Sequence, residues 1–436
     1  MPQFPPTAGE SSLSRADKRT ADARRLRLST GLERKVAMRF SAQKPEEGGS
    51  VTRRALLGGG LAFAVAGCNS SGVDFGAGGP GVSAPPPAGA PLVGETLGSG
   101  PVRVGMILPL TQNGGPSPIG VSMRNAAQLA VDDFGGPYIT LMVQDDHSSS
   151  DGAAQAAQSE LGAGAQLILG PVFANDVRAA SAAAKSAGRP MIAFSTDASV
   201  AAPGVYLLSF LIETYVDRIV QYSVSSGKKS FAIMAPQNDY GNVATDRFQQ
   251  TAAGVNAQIV VTARYSAGQM ATAAQQVAAV QGQVDALFIP EQADAMQAVA
   301  NALSSNSVKT QLLGTGVWND ARVLKIPQMQ GAWFSAPDNS GFNAFAQRYK
   351  AKFNSEPARL ATLSYDAATL AAALARNGGP DPYNERALTN VSGFSGADGV
   401  FRFRPDGTNE RGLAVIEIDG GAAKVISPAP RSFVAG

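Results

Sequence analysis

From Val102 onward, short apolar runs alternate with longer segments whose apolar residues recur at steps of three and four. Val102 to Leu108, Ile139 to Val143, Leu167 to Leu169 and Met191 to Phe194 read as strands, each bounded by Gly, Pro or Asp. Between them, Met123, Ala126, Ala127, Ala130, Val131 and Phe134 fall on one face of a predicted helix. A second helix is expected from Asp151, its predicted N-cap, to Leu161, and a third from about Asp176 to Ser186, before Gly188-Arg189-Pro190. The rhythm restarts after Glu213: a helix to Ser225, a strand Phe231 to Met234, a helix to Gly254, and strands Ile259 to Tyr265 and Ala286 to Ile289. A helix from Ala293 to Leu303 and a strand from Gln311 to Leu313 follow; then come Trp333-Phe334-Ser335, helical segments Phe342 to Phe353 and Leu360 to Arg376, and short strands from Gly399. Strand, helix, strand, repeated twice, predicts an α/β fold of two doubly wound parallel-sheet lobes. The expected lobes are 101–211 plus 336–394 and 212–335 plus 395–432, joined by a hinge of three crossings near Phe210 to Glu213, Ser335 to Pro337 and Phe394 to Val400.

Upstream the pattern changes. Residues 1–50 are Arg-rich without apolar periodicity, so either translation starts later, for instance at Met38, or the extension stays unstructured. Residues 51–67 have the layout of a signal peptide: Arg53-Arg54, then an apolar run from Ala55 to Gly67, too short for the roughly 20 residues of a spanning helix. The arginine pair resembles a twin-arginine signal and serves equally as an ordinary basic flank. Val65-Ala66-Gly67-Cys68 resembles the bacterial lipobox, which implies acylation of Cys68 and anchoring to the inner or outer membrane. Residues 68–100, rich in Gly, Pro, Ser and Ala, read as a tether.

Charge narrows the partners. Twelve Lys and Arg stand against six Asp and Glu up to Arg54, leaving 24 against 28 in the remainder, so the part expected to fold is mildly acidic and gives no footprint for nucleic acid. One Cys and one His build neither a disulfide nor a Cys/His zinc site, and no metal or cofactor is expected. Paired Asp145-Asp146 on an extended segment point apart, which disfavours a cation site there. A hydrolase would have to use His147 without a G-x-S-x-G elbow, so the chain is not expected to be an enzyme.

Ligands of open parallel sheets lie beyond the carboxyl ends of the strands. Four loops there carry suitable groups: Thr111 to Ser117, Gly170 to Asn175, Ser195-Thr196-Asp197 and Gln237 to Gly241. The first is either an anion-binding turn before a helix or a tight turn needing Gly; it matches no phosphate motif. Ser195 and Thr196 either hold a carboxylate or, with Asp197, cap the next turn, and Tyr240 is placed to stack on a ligand.

With these residues in view, Val102 to Ile426 resembles the type I periplasmic solute-binding proteins, in particular the leucine/isoleucine/valine-binding receptors of ABC transporters. The resemblance rests on Val104 to Thr111, Asp145-Asp146, Leu169-Gly170-Pro171 and Pro236 to Gly241. It implies a small polar ligand, such as an amino acid, whose carboxylate is gripped by Ser195 and Thr196. Phe173 stands where another ligand serine is expected, and Tyr240 packs on the ligand. Trp318 stands near the position of the family's ammonium-binding acid; Glu291 or Asp320 either substitutes for that acid or takes a surface or capping role. Phe194 to Asp197 and Gly204 to Phe210 also resemble the lipoprotein activators of penicillin-binding proteins, which share the fold. The implied partners are therefore an ABC transporter permease or a penicillin-binding protein, in the periplasm.

Overall fold

The computed structural model describes residues 90–266 and 268–433. Cys68, the expected signal peptide, the 1–50 extension and most of the expected tether lie outside the described residues.

The first sheet takes up the chain from β1 (Glu95–Leu97) and β2 (Val102–Leu108). A small hairpin, β3 (Thr111–Gln112) and β4 (Gly115–Pro116), leads into α1 (Pro118–Ala130). Then follow β5 (Ile139–Asp145), α2 (Ser150–Gly162), β6 (Ile168–Leu169), α3 (Ala174–Ser186), β7 (Met191–Ala193) and β8 (Val205–Leu207). The order is β1-β5-β2-β6-β7-β8, with every pair parallel except β1 on β5. One face is covered by α1, the other by α2 and α3, which is why these strands read as unbroken apolar runs.

Local chemistry sets the helix starts. Ser117 caps α1 by accepting the Gly120 N–H at 3.3 Å, with Pro118 at the first turn. The cap of α2 is Ser149 and not the expected Asp151, because Ser149 is extended and its Oγ accepts the Gly152 N–H at 3.2 Å. Phe134 also departs from expectation. After Ala130 the helix widens into a π turn, Val131–Gly135, whose extra residue rotates Phe134 off the apolar face into solvent.

The expected tether ends sooner than its composition suggested. Glu95–Leu97 pairs along β5, and Leu97 is buried in the first core. The glycines that read as linker serve close approach: a Cβ on Gly100 would stand 2.1 Å from the Tyr138 carbonyl carbon.

The second sheet follows α4 (Ile212–Ser225). Its elements are β9 (Ser230–Pro236), α5 (Asp239–Gly254), β10 (Gln258–Tyr265), α6 (Met270–Val280), β11 (Ala286–Phe288), α7 (Met296–Ser305), β12 (Gln311–Gly314), α8 (Ala321–Leu324) and β13 (Trp333–Ala336). The chain returns to the first lobe in α9 (Asn339–Phe353), α10 (Ala361–Asn377) and α11 (Glu385–Leu388), whose buried residues Phe345, Tyr365 and Leu388 join the first core. Three short strands, β14 (Phe394–Gly396), β15 (Gly399–Phe403) and β16 (Asn409–Arg411), form a separate sheet. Only then do β17 (Ala414–Asp419) and β18 (Ala422–Ser427) complete the second sheet, in the order β10-β9-β11-β12-β13-β17-β18.

The fold is thus α/β with two doubly wound lobes. The third crossing lies at Gly412-Leu413 and not at the expected 394–400, because Phe401 and Phe403 are buried in the first lobe's core and hold β14 to β16 there.

Candidate functional site

Both sheets reverse their strand order at one place. In the first lobe this is between β2 and β6, and in the second between β9 and β11. A parallel sheet leaves a crevice where successive crossovers go to opposite faces, so the loops leaving these four strands line the two crevices. Those loops carry Thr111, Phe173, Tyr240 and Glu291.

In the first lobe, Asp145 at the end of β5 organises the Thr111 loop. Its Oδ1 accepts the N–H groups of Leu110 (2.9 Å), Thr111 (3.1 Å) and His147 (2.8 Å), and its Oδ2 accepts the Thr111 hydroxyl at 2.6 Å. Burial pushes the Asp145 carboxyl up, but the Thr111 and His147 hydrogen bonds outweigh it and hold the group below its ordinary value. His147 Nδ1 is 2.9 Å from Asp145 Oδ2 and 3.0 Å from Thr111 Oγ1. Both groups meet the same ring nitrogen, so the imidazole does not stand between them as it does in a Ser-His-Asp relay. Asp146 turns the other way, as alternation on a strand requires, and is fully buried. Burial pushes its carboxyl up to about 7, with Asp176 and Asp145 adding to the rise and the Ser148 N–H opposing it.

Phe173 is half-buried at the N-cap position of α3 and packs on the first core. Ser195 is buried, its Oγ accepting the Asp197 N–H at 3.1 Å, while Asp197 caps the turn Ala198–Val200. Thr196 is exposed beside it. The turn-capping chemistry is therefore present, and among the described residues neither the Ser195 hydroxyl proton nor the Thr196 hydroxyl has a further hydrogen-bond partner.

In the second lobe, Tyr240 is half-buried and shares a 2.5 Å hydrogen bond with Thr315 Oγ1. Burial raises its pKa far above that of a free phenol, so it is neutral at any physiological pH. Glu291 is buried, its Oε2 accepting the Tyr265 hydroxyl at 2.7 Å and its Oε1 the Gln292 N–H at 2.7 Å. Trp318, expected near the ligand, is instead fully buried in the second lobe's core. Its indole lies where a side chain on Gly314 would be, 2.2 Å from the position of a Cβ. Asp320 caps α8 and pairs with Arg322, so it too is committed elsewhere.

Thr315 and Tyr265, which hold Tyr240 and Glu291, carry no motif of their own in the sequence. The available signal was Gly314-Thr315-Gly316, whose two glycines make room for Trp318 and for the ring of Tyr215. Among the described residues, no group of three or more His, Cys, Asp or Glu side chains gathers to hold a metal ion. No helix among them is long and apolar enough to cross a membrane.

A family model described as periplasmic binding protein matches residues 101–423. No curated protein matches the chain. Among solved structures, a branched chain amino acid ABC transporter periplasmic ligand-binding protein from Burkholderia xenovorans is 18% identical, with 76% of this chain and 96% of that chain covered and a TM-score of 0.61. A leucine binding protein from Thermotoga maritima is 20% identical over 75% of this chain and 98% of that chain, at a TM-score of 0.53. A solute binding protein of an ABC transporter from R. palustris, in complex with benzoate, is 19% identical over 77% and 98% of the two chains, also at 0.53. These likenesses carry the fold; the family model, matched from β2 into β18 and so across both crevices, shows that the chain belongs to the periplasmic binding protein family.

Proposed function

We propose that the protein is a lipid-anchored, extracytoplasmic solute receptor of an ABC importer, taking an amino acid or a related small polar molecule between its two lobes. Family membership carries the extracytoplasmic location. The observation that supports the ligand reading most is the chemical contrast between the strand-end loops of the two lobes. The first lobe offers the hydroxyls of Ser195 and Thr196 beyond β7, suited to a carboxylate, the Thr111 hydroxyl being already donated to Asp145; the second offers a neutral phenol, Tyr240, and the buried carboxylate of Glu291, suited to a cationic or donor group. In this reading Phe173 packs on the ligand's apolar part, and Cys68 anchors the chain.

Thermal-shift screening of the chain against the common amino acids and benzoate tests the receptor reading, because a ligand that binds only the folded state raises its melting temperature. A rise of several degrees with one class is expected. No shift with any of them removes this reading and leaves the activator of a penicillin-binding protein, which rests on Phe194 to Asp197 and Gly204 to Phe210 and tolerates an empty cleft. Mass spectrometry of the mature N-terminus tests the anchor: diacylated Cys68 is expected, and an unmodified thiol removes it.

A further inference from the structure

A cavity of about 420 Å³ opens at the hinge, away from the switch-point loops. The second lobe contributes Asp217 and Arg218 of α4 to its wall. The first lobe contributes Arg402 of β15, Arg404 just beyond it, and Glu410 and Arg411 of β16. Its size falls within the range of about 300–1,000 Å³ usual for small-molecule sites.

The charges in the wall do not balance. Asp217 is consumed by Arg247, in a two-pronged contact at 2.6 and 2.5 Å, and by the Thr251 hydroxyl at 2.6 Å. Glu410 serves Arg402, at 3.0 and 2.8 Å, and Arg404 at 3.4 Å. Among the described residues, neither Arg218 nor Arg411 has a carboxylate within ion-pair distance. Among the described residues Arg218 donates to the Leu413 carbonyl (2.8 Å) and Ser427 Oγ (2.7 Å), with its guanidinium 5.9 Å from the centroid of the Tyr222 ring. Arg411 is 5% exposed; its Nε donates to the Ser209 carbonyl at 3.0 Å and its guanidinium lies over the rings of Phe210 and Phe401, but both Nη groups lack a hydrogen-bond partner among the described residues. Two carboxylates lie near Arg411 without pairing with it: Asp398 is held by both Nη groups of Arg359, and Asp366 accepts the Ala397 N–H. Burial lowers the pKa of both unpaired guanidiniums, the mark of positive charge taken from water without full compensation.

We propose that this cavity is a binding site for a small polyanion, a phosphate- or carboxylate-bearing molecule with at least two negative charges, which bridges the lobes at the hinge. Such an occupant supplies counter-charge directly to Arg218 and to Arg402 and Arg404, which share the single carboxylate of Glu410, and to Arg411 through a low-dielectric wall. Because it touches α4 on one side and β15–β16 on the other, it favours whichever lobe arrangement keeps both walls together.

Isothermal titration calorimetry of the full chain with inorganic phosphate and with citrate, at ionic strength fixed with sodium chloride, tests this. Saturable binding of one or both with Kd below about 1 mM is expected, and which anion binds identifies the source. Arg218→Gln and Arg404→Gln should each weaken it by about tenfold, the loss of one charge-assisted contact. Glu410→Gln should tighten it several-fold by freeing Arg404, a gain that damage to the fold does not produce. No saturable binding of either anion, or binding that all three substitutions leave unchanged, overturns the proposal.

Discussion

The guanidinium of Arg359 lies over the ring of Phe210, 4.6 Å from its centroid. The same guanidinium lies 4.6 Å from the ring of Phe342, and Phe210 also receives Arg411 at 4.7 Å, which in turn approaches Phe401 at 5.6 Å. Phe342, Arg359, Phe210, Arg411 and Phe401 thus alternate ring and cation. The series touches all three crossings: Phe210 sits on the first, Phe342 just past the second and Arg411 just before the third. Asp398 fixes Arg359 from the side through two hydrogen bonds of 2.8 and 2.7 Å. The hinge is therefore tied by side chains as well as by backbone.

Replacing Phe210 by Leu removes the ring shared by both arginines while keeping an apolar side chain. Each lost cation–π contact costs about 0.5–2 kcal/mol, so a loss of about 1–4 kcal/mol in unfolding free energy is expected. The radius of gyration measured by small-angle scattering should also increase, because the crossings lose their common tie. Unchanged melting and unchanged scattering would show that the stack carries no weight.

The alternation of apolar runs and amphipathic segments made the α/β architecture legible, because parallel strands covered on both faces must be apolar throughout. Loops at strand ends were legible for the same reason. What escaped depended on packing between distant segments. Leu97 looks like linker because its neighbours are glycines, whose need for close approach shows only once β5 lies beside them. Phe134 follows helical spacing that a π turn then breaks. Trp318 stands at the expected position in the chain, but Gly314 beneath it leaves a hollow that draws the indole into the core.

That hollow gives a second prediction. Gly314→Ala places a methyl in the space of the Trp318 indole, and expelling or shifting the ring should cost about 1–3 kcal/mol, the usual penalty of overpacking. Near-ultraviolet circular dichroism reports the tryptophan's surroundings directly. A native spectrum together with a native melting temperature would mean the second core tolerates the methyl and the close fit is unimportant.

Two buried aspartates predict how stability varies with pH. Burial pushes Asp366 up to about 7, against the pull of Arg411, and Asp146 likewise up to about 7. Both pKa values lie above the unfolded value of 3.8, so their contribution is present in full below about pH 4 and is lost as pH rises through 7. The slope is at most about 1.4 kcal/mol per pH unit for each group. Asp366→Asn keeps an acceptor for the Ala397 N–H, which Asp366 Oδ1 accepts at 2.7 Å, but cannot ionise. Urea unfolding at pH 4.5, 6 and 7.5 should show a shallower decline in this variant, and an identical slope would contradict the assignment.

Glu291 offers the sharpest test of the ligand chemistry. Its carboxylate is anchored at both oxygens, by Tyr265 and by the Gln292 N–H, so Glu291→Gln can keep its shape while losing the charge. If the ligand presents a cationic group there, the substitution removes a charge-assisted contact worth about 1.5–3 kcal/mol, or a loss of affinity of about 10- to 150-fold. Ser195→Ala, by contrast, removes one hydroxyl donor whose oxygen also supports the Asp197 turn, and a smaller loss in affinity with a small drop in stability is expected. Calorimetric titration of the two variants with whichever amino acid raises the melting temperature separates these effects. Equal affinities in Glu291→Gln and the parent chain would mean that no positive group of the ligand reaches the second crevice, and the recognition would then rest on the first-lobe hydroxyls alone.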